Sequence, residues 1–101
     1  AIMIHSKEKK PLEILNFCKE YNKLKNKKPL IVVPSTFSSI TEEALIKSGV
    51  KIVIYANHLL RSAYPAMVKT AKSILKNKRS SEAEKDLMPI DEMLGLIKGT
   101  K

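Results

Sequence analysis

The stretch Leu30-Ile31-Val32-Val33, followed at once by Pro34-Ser35-Thr36, decides the fold class. A short apolar run without alternation is typical of a strand that is covered on both faces, and a proline ends it. Two other runs have the same form and a similar polar ending: Ile2–Ile4 before His5-Ser6-Lys7, and Val50–Ala56 before Asn57-His58. Because a helical pattern follows each run, the sequence predicts an α/β fold with parallel strands and right-handed crossovers.

The predicted elements alternate as β-α-β-α-β-α, with a short C-terminal helix. Strands are expected at about residues 1–5, 30–34 and 50–56, and helices at about 11–26, 40–48, 59–78 and 90–97. Two architectures fit this order: a small three-stranded sandwich, or the last three units of a (β/α)8 barrel, which takes roughly 250 residues. The chain of 101 residues opens inside its first apolar run, which favours the barrel and predicts further chain upstream.

Local signals predict where the helices begin and end. Ser39-Ile40-Thr41-Glu42 matches a capping box with Ser39 as the N-cap, and Gly49 is a natural residue after a helix end. Pro65 predicts either a helix that starts near Ser62 or a kink. The charged stretch 77–86 is expected to be a surface loop.

The chain is strongly basic, with 19 Lys and Arg against 10 Asp and Glu, a net charge of +9. Such a charge suits an anionic partner, whether nucleic acid, an acidic membrane or a phosphorylated metabolite. However, Lys69, Lys72 and Lys76 share one helix face that can point to water, and no arginine cluster or aromatic platform accompanies the lysines. We therefore interpret the charge as a solvated surface and do not expect nucleic-acid binding. No segment approaches the length of a membrane span, and no signal peptide is visible, which predicts a cytoplasmic location.

The sequence offers few residues for metal or covalent chemistry. The single cysteine, Cys18, lies on a predicted helix, and we expect it to be a buried thiol rather than a nucleophile. His5, His58 and Cys18 lack metal-ligand spacing, and the three glycines form no phosphate loop. We therefore predict no metal ligands within this chain.

Three segments carry a resemblance to a known family. They are Ile2-Met3-Ile4-His5-Ser6-Lys7, Ile31-Val32-Val33-Pro34-Ser35-Thr36 and the run from Val53 to Ala63 that contains Tyr55-Ala56-Asn57-His58-Leu59-Leu60-Arg61. In this order and spacing they resemble the C-terminal part of the phosphoenolpyruvate mutase family, within the isocitrate lyase superfamily. The tail Met88-Pro89-Ile90-Asp91-Glu92-Met93 is similar to the final short helix of that family.

The resemblance implies a (β/α)8 barrel to which this chain contributes the last three units. It implies isomerisation of phosphoenolpyruvate to phosphonopyruvate, the step that forms the carbon–phosphorus bond of natural phosphonates. It also implies Mg2+ as cofactor and a homo-oligomer, typically a tetramer whose last barrel helix is exchanged between subunits. The carboxylates that hold the metal in this family belong to earlier strands, so the isolated chain is expected to be inactive.

The resemblance also implies roles for polar residues at the strand ends. It makes His5 the expected catalytic residue, because an imidazole can donate a hydrogen bond to a phosphoryl oxygen during transfer; a structural histidine that caps the strand is the alternative. Ser35 and Thr36 are candidates for binding substrate oxygens, or they begin the turn into the next helix. Asn57 either faces the mouth of the barrel as a further substrate ligand or caps the following helix.

Two other functions stay open from the sequence. One is a related enzyme of the same superfamily, either a phosphonopyruvate hydrolase or a carbon–carbon lyase. The other is a small basic α/β module that binds nucleic acid or protein, suggested by the charge and the length of the chain. Three parallel strands would leave open edges and an uncovered face in such a module, so we expect it to be poorly stable alone.

Overall fold

A computed structural model describes residues 1–99 of the chain. The elements follow the order β1 (Ile2–Ile4), α1 (Leu12–Tyr21), β2 (Leu30–Val32), α2 (Glu42–Lys47), β3 (Val50–Val53), α3 (His58–Asn77), a 3-10 turn (Glu84–Asp86) and α4 (Ile90–Gly95). The chain divides into two compact units, Ala1–His58 and the part from Leu59 onwards. The alternation of strands and helices is as the sequence predicts, with strands somewhat shorter than expected.

The first unit contains a parallel sheet in the order β1-β2-β3. Ile2 is aligned with Leu30 between the first two strands, and Val32 with Val53 between the last two, where a register shift lies between Leu30 and Ile31. Neighbouring strands in space are therefore neighbours in sequence. This order and the parallel direction confirm the predicted topology.

One face of the sheet carries the core of the first unit. A single buried cluster joins side chains of α1, β2, the loop after it, α2 and β3: Ile14, Cys18, Leu30, Val32, Phe37, Leu45 and Val50. Successive right-handed crossovers between adjacent strands place their helices on the same side of a sheet. The helices α1 and α2 obey this rule, which is the arrangement of a barrel and not of a sandwich.

The opposite face of the sheet is apolar but open within the described residues. Met3 is 59% exposed and Ile52 is 46% exposed, although both lie in strands. The expectation that the strands are covered on both faces is therefore wrong for the described chain, because both helices pack on one side. In a (β/α)8 barrel the second face points inward and is filled by side chains from the other strands.

The end of α1 corrects one predicted boundary. The helix ends at Tyr21 and does not continue to residue 26. The hydroxyl of Tyr21 donates to the carbonyl oxygen of Lys28 at 2.9 Å and accepts from its N–H at 3.0 Å, which draws the segment between them into a loop. Asn26 adopts a positive φ of 56° in that loop.

The start of α2 corrects the predicted capping box. Thr41, not Ser39, is the N-cap, and its hydroxyl accepts from the N–H of Ala44 at 3.2 Å. The predicted end is confirmed, since Gly49 follows the helix with a φ of +90°. The positive φ favours glycine at this position, and an added Cβ would lie 2.8 Å from the side-chain oxygen of Asn22, which would have to move.

The second unit is built on α3. The helix runs from His58 to Asn77, in agreement with the predicted range of about 59–78. It includes Pro65 in its interior, which excludes the alternative of a start near Ser62. The segment after it is partly ordered, because a 3-10 turn forms within the stretch predicted as a loop. Ion pairs fasten this segment: Lys69 to Asp86 at 2.7 Å and Arg79 to Glu82 at 2.5 Å. None of the helices in residues 1–99 is both long and apolar enough to cross a membrane.

Candidate active site at the strand ends

The parallel direction of the strands gathers the candidate residues at one edge of the sheet. His5 directly follows β1, Ser35 and Thr36 lie three and four residues after the end of β2, and Asn57 follows β3 just before α3. In parallel α/β folds this carboxyl edge is where ligands bind. The parallel topology therefore places these polar residues along the same edge of the sheet.

The side chain of His5 makes one hydrogen bond to the residue that follows the neighbouring strand β2. Its Nδ1 lies 3.2 Å from the carbonyl oxygen of Val33, and its exposed ring is tilted against Phe37 with 6.2 Å between centroids. A carbonyl oxygen can only accept, so Nδ1 must carry a proton. Nε2 is then an acceptor in the neutral ring and becomes a donor only when the ring is doubly protonated. The expected hydrogen bond to a phosphoryl oxygen therefore requires the imidazolium form.

Ser35 and His5 both form a hydrogen bond to the carbonyl oxygen of Val33. The N–H of Ser35 donates to the same carbonyl oxygen of Val33 at 2.9 Å, which forms a tight turn directly after the strand. The hydroxyl oxygen of Ser35 is buried and has no hydrogen-bond partner among the described residues. A buried hydroxyl without a partner is costly, so this oxygen is a candidate to bind a polar ligand atom.

Thr36 and Asn57 are less closely tied to this pair. Thr36 is half-buried beside Ser35, and Asn57 is exposed at a bend before α3. Within residues 1–99, no hydrogen bond links either of them to His5 or Ser35. The structure therefore brings His5 and Ser35 together at one carbonyl and leaves Thr36 and Asn57 as neighbours at the same edge.

A second cluster at the end of β3 was missed by sequence reasoning. The hydroxyl of Tyr55 donates to a carboxylate oxygen of Glu42 at 2.8 Å, and its ring meets His58 edge to face at 5.4 Å. The carboxylate of Glu42 raises the pKa of Tyr55, because it stabilises the protonated phenol. Nδ1 of His58 is buried without a hydrogen-bond partner in the described chain. Only the capping-box pattern drew attention to Glu42, and nothing in the sequence connects it to Tyr55.

Ser6 was also missed, although it lies next to His5. Its side chain is only 4% exposed, and its hydroxyl donates to Glu13 and accepts from the N–H of Glu8 at 3.0 Å. The spacing of Ser6 and Glu8 is that of a turn in which a serine hydroxyl accepts from the backbone two residues on. The sequence contains that local signal, but it does not show that the Ser6 hydroxyl contacts Glu13 in α1.

The carboxylates of the described chain do not form a metal site. No group of three or more His, Cys, Asp or Glu residues in the range 1–99 could hold a metal ion. Several acids already have other partners: Glu13 accepts from Ser6, Glu20 pairs with Lys23, Glu42 accepts from Tyr55, Glu82 pairs with Arg79, and Asp86 pairs with Lys69. The residues present therefore do not fit Mg2+, and we derive no chemical step through it.

Cys18 is part of the core, as predicted. It is fully buried against the sheet, and burial raises the pKa of its thiol. A thiol that resists ionisation is a poor nucleophile. The packing interpretation of Cys18 is therefore confirmed.

Known proteins match the chain over nearly all its length. The family model for phosphoenolpyruvate phosphomutase matches residues 1–75. A phosphoenolpyruvate phosphomutase of Tetrahymena pyriformis is 35% identical over 95% of the chain. A phosphonopyruvate hydrolase of Variovorax sp. (strain Pal2) is 36% identical over the same share. The chain covers 31% and 32% of these two relatives, so it spans about a third of their length.

Solved structures give the same result for the fold. The crystal structure of phosphoenolpyruvate phosphomutase from Streptomyces platensis subsp. rosaceus superposes with a TM-score of 0.84 at 33% identity, over 95% of this chain and 32% of that one. A phosphonopyruvate hydrolase in complex with oxalate and Mg2+ superposes with a TM-score of 0.80 at 35% identity, over 94% of this chain and 33% of that one. Sequence, topology and these matches agree: the chain belongs to the phosphoenolpyruvate phosphomutase family.

Proposed function

We propose that the chain is the C-terminal part of a phosphoenolpyruvate mutase, which isomerises phosphoenolpyruvate to phosphonopyruvate. The observation that carries the proposal is the convergence of His5 and Ser35 on the carbonyl oxygen of Val33, at the carboxyl edge of the parallel sheet. The family match and the named mutase relatives support the choice of reaction.

In this proposal His5 acts on the phosphoryl group. The bond from Nδ1 to Val33 orients the ring and leaves Nε2 for the substrate. Phosphoryl transfer depends mainly on positioning and on stabilising charge at the transferring oxygens, and an imidazolium supplies both a proton donor and a positive charge. His5 is therefore assigned the role of a catalytic hydrogen-bond donor.

Ser35, Thr36 and Asn57 are assigned to substrate binding. The unpartnered hydroxyl of Ser35 is suited to donate to a carboxylate or phosphoryl oxygen, which would satisfy a buried polar atom on binding. Thr36 and Asn57 lie at the same edge of the sheet and would extend the polar wall of the site. We assign them a secondary role in binding, because neither is hydrogen-bonded to His5 or Ser35 within residues 1–99.

The proposed enzyme uses Mg2+ held by residues of polypeptide outside this chain. The hydrolase relative has been crystallised with Mg2+ and oxalate, which supports a metal-dependent site in this family. This chain would supply hydrogen-bonding side chains at the strand ends, and alone it would be inactive.

We also propose that the enzyme is a cytoplasmic homo-oligomer, a tetramer with exchanged helices. Large apolar side chains on α3, on α4 and directly after α4 are mostly exposed within the described chain, which supports further contacts with other polypeptide: Leu59, Leu60, Tyr64, Leu75, Ile90 and Leu96. The open apolar face of the sheet supports a barrel completed by other strands. It also argues against a self-sufficient basic binding module.

The second candidate is a phosphonopyruvate hydrolase, because a hydrolase relative is as similar to the chain as the mutase relative. Phosphorus NMR of the complete enzyme with phosphonopyruvate and Mg2+ separates the two. The mutase reaction converts phosphonopyruvate into phosphoenolpyruvate without release of inorganic phosphate. Free phosphate as the first product would establish the hydrolase instead.

The role of His5 is tested by His5→Ala in the complete enzyme. We expect turnover to fall by about 10²-fold or more, the usual range for a lost acid–base or charge-stabilising group. Lys47→Ala, at the end of α2 and exposed, is the matched control and should retain wild-type turnover. Near-normal turnover of a folded His5→Ala enzyme would remove His5 from the mechanism.

A further inference from the structure

Ser6 stands out because it is a buried residue with a polar side chain. Among residues 1–99 it is the only buried residue with a polar or charged side chain. Its hydroxyl uses both of its capacities, donating to Oε2 of Glu13 and accepting from the N–H of Glu8. A buried hydroxyl that is fully hydrogen-bonded on both sides has a single orientation.

The Ser6–Glu13 bond joins the loop after β1 to the rigid part of the unit. Glu13 lies in the first turn of α1, and the residue that precedes the helix, Pro11, provides no side-chain cap. The next residue, Ile14, and Cys18 one turn later are buried in the core. The position of Ser6 is therefore set by α1 and through it by the packing against the sheet.

His5 needs such a support. Its ring is exposed and is oriented by one hydrogen bond of 3.2 Å to Val33 together with a tilted contact to Phe37. An exposed ring with one hydrogen bond can leave its orientation easily, whereas precise placement is what phosphoryl transfer requires. Ser6 is joined to His5 by one peptide bond, so fixing Ser6 restricts the backbone from which the ring projects.

We propose that Ser6 and Glu13 are positioning residues that hold the His5 imidazole in its reactive orientation. The proposal rests on the proposed function, in which His5 contacts the phosphoryl group. Neither residue is assigned contact with substrate. The simpler alternative is that Ser6 only stabilises the loop, and then its loss would act on stability without any dependence on His5.

The test uses single and double variants of the complete enzyme, with phosphonopyruvate as substrate. We expect Ser6→Ala and Glu13→Ala each to lower kcat by about tenfold or more, with KM changed by less than about twofold, because they disturb a group that acts in the transition state. Glu13→Gln keeps an oxygen that accepts from Ser6 and should restore most of kcat. Ser39→Ala, an exposed serine outside the site, is the matched control and should behave as wild type.

Two combinations distinguish positioning from simple stabilisation. In the His5→Ala background, Ser6→Ala should lower the residual kcat no further, because the group that it positions is gone. Ser6→Ala and Glu13→Ala should likewise be non-additive with each other. The proposal would be overturned if Ser6→Ala lowered kcat as much in the His5→Ala background as it does in the wild-type enzyme.

The failures of the two proposals can be told apart. Normal turnover of His5→Ala would contradict the proposed function itself. If His5→Ala is impaired while Ser6→Ala and Glu13→Ala turn over at the wild-type rate, only the positioning role fails. Because Glu13 is exposed on the surface of α1, its variants test the proposal even where Ser6→Ala does not fold.

Discussion

Replacing Phe37 by alanine tests whether this side chain, which contacts His5 at the strand ends, is part of the core. Phe37 has no exposed surface and is the largest fully buried side chain of the described residues. It lies in the segment between β2 and α2 and belongs to the same buried cluster as Val32 and Leu45. Transfer of such a side chain out of water contributes about 1.5–3 kcal/mol, and the cavity left behind adds to the loss. We therefore expect Phe37→Ala to lower the free energy of unfolding by about 3–5 kcal/mol.

Urea denaturation of the complete enzyme, followed by circular dichroism, measures this loss. Leu12→Ala is the matched control, since Leu12 lies on α1 but is largely exposed, and it should change stability by less than about 0.5 kcal/mol. Amide hydrogen exchange localises the effect: the N–H of Ile54, which donates to Val32 across the sheet, should lose protection in Phe37→Ala. Equal losses in the two variants, or a loss below about 1 kcal/mol for Phe37→Ala, would refute the assignment of Phe37 to the core.

Two further predictions concern the helix cap and an ion pair. Thr41→Ala should lower the free energy of unfolding by about 1 kcal/mol, because the N–H of Ala44 loses its acceptor. Ser39→Ala should have almost no effect. A larger loss for Ser39→Ala than for Thr41→Ala in urea denaturation would restore Ser39 as the cap. Hydrogen bonding to Lys69 lowers the pKa of Asp86 in the folded state. The ionised carboxylate therefore stabilises the folded state fully at a pH above the ordinary aspartate pKa of about 3.9. This stabilisation is lost as the pH falls through the lower pKa of Asp86 in the folded state. Asp86→Asn should therefore lower the thermal midpoint slightly near neutral pH and low salt but not at a pH below both values, and a difference that persists in acid would contradict the ion pair as its cause.

Much of the fold follows from patterns that are local in sequence. Three apolar runs separated by helical patterns predict parallel strands, and Gly49 marks the end of α2 because its backbone conformation strongly favours glycine. The strand ends also carry the candidate site, since parallel topology alone places His5, Ser35 and Asn57 at one edge.

The errors arise where a distant contact decides between local alternatives. The helix α1 ends early because Tyr21 bonds to both backbone groups of Lys28, seven residues away. The apolar runs have the pattern of strands that are covered on both faces, but in the described chain α1 and α2 lie on the same side of the sheet. The role of Ser6 depends on Glu13, which only the folded chain brings to it.

A crystal structure of the complete enzyme with an unreactive phosphonate analogue of the substrate tests the central claim most directly. We predict a phosphonate oxygen at about 2.7–3.2 Å from Nε2 of His5, with Nδ1 still bonded to Val33 and the hydroxyl of Ser35 facing the same ligand. A phosphonate bound in the barrel without contact to His5 or Ser35 would contradict the claim that the strand ends of this chain form the active site.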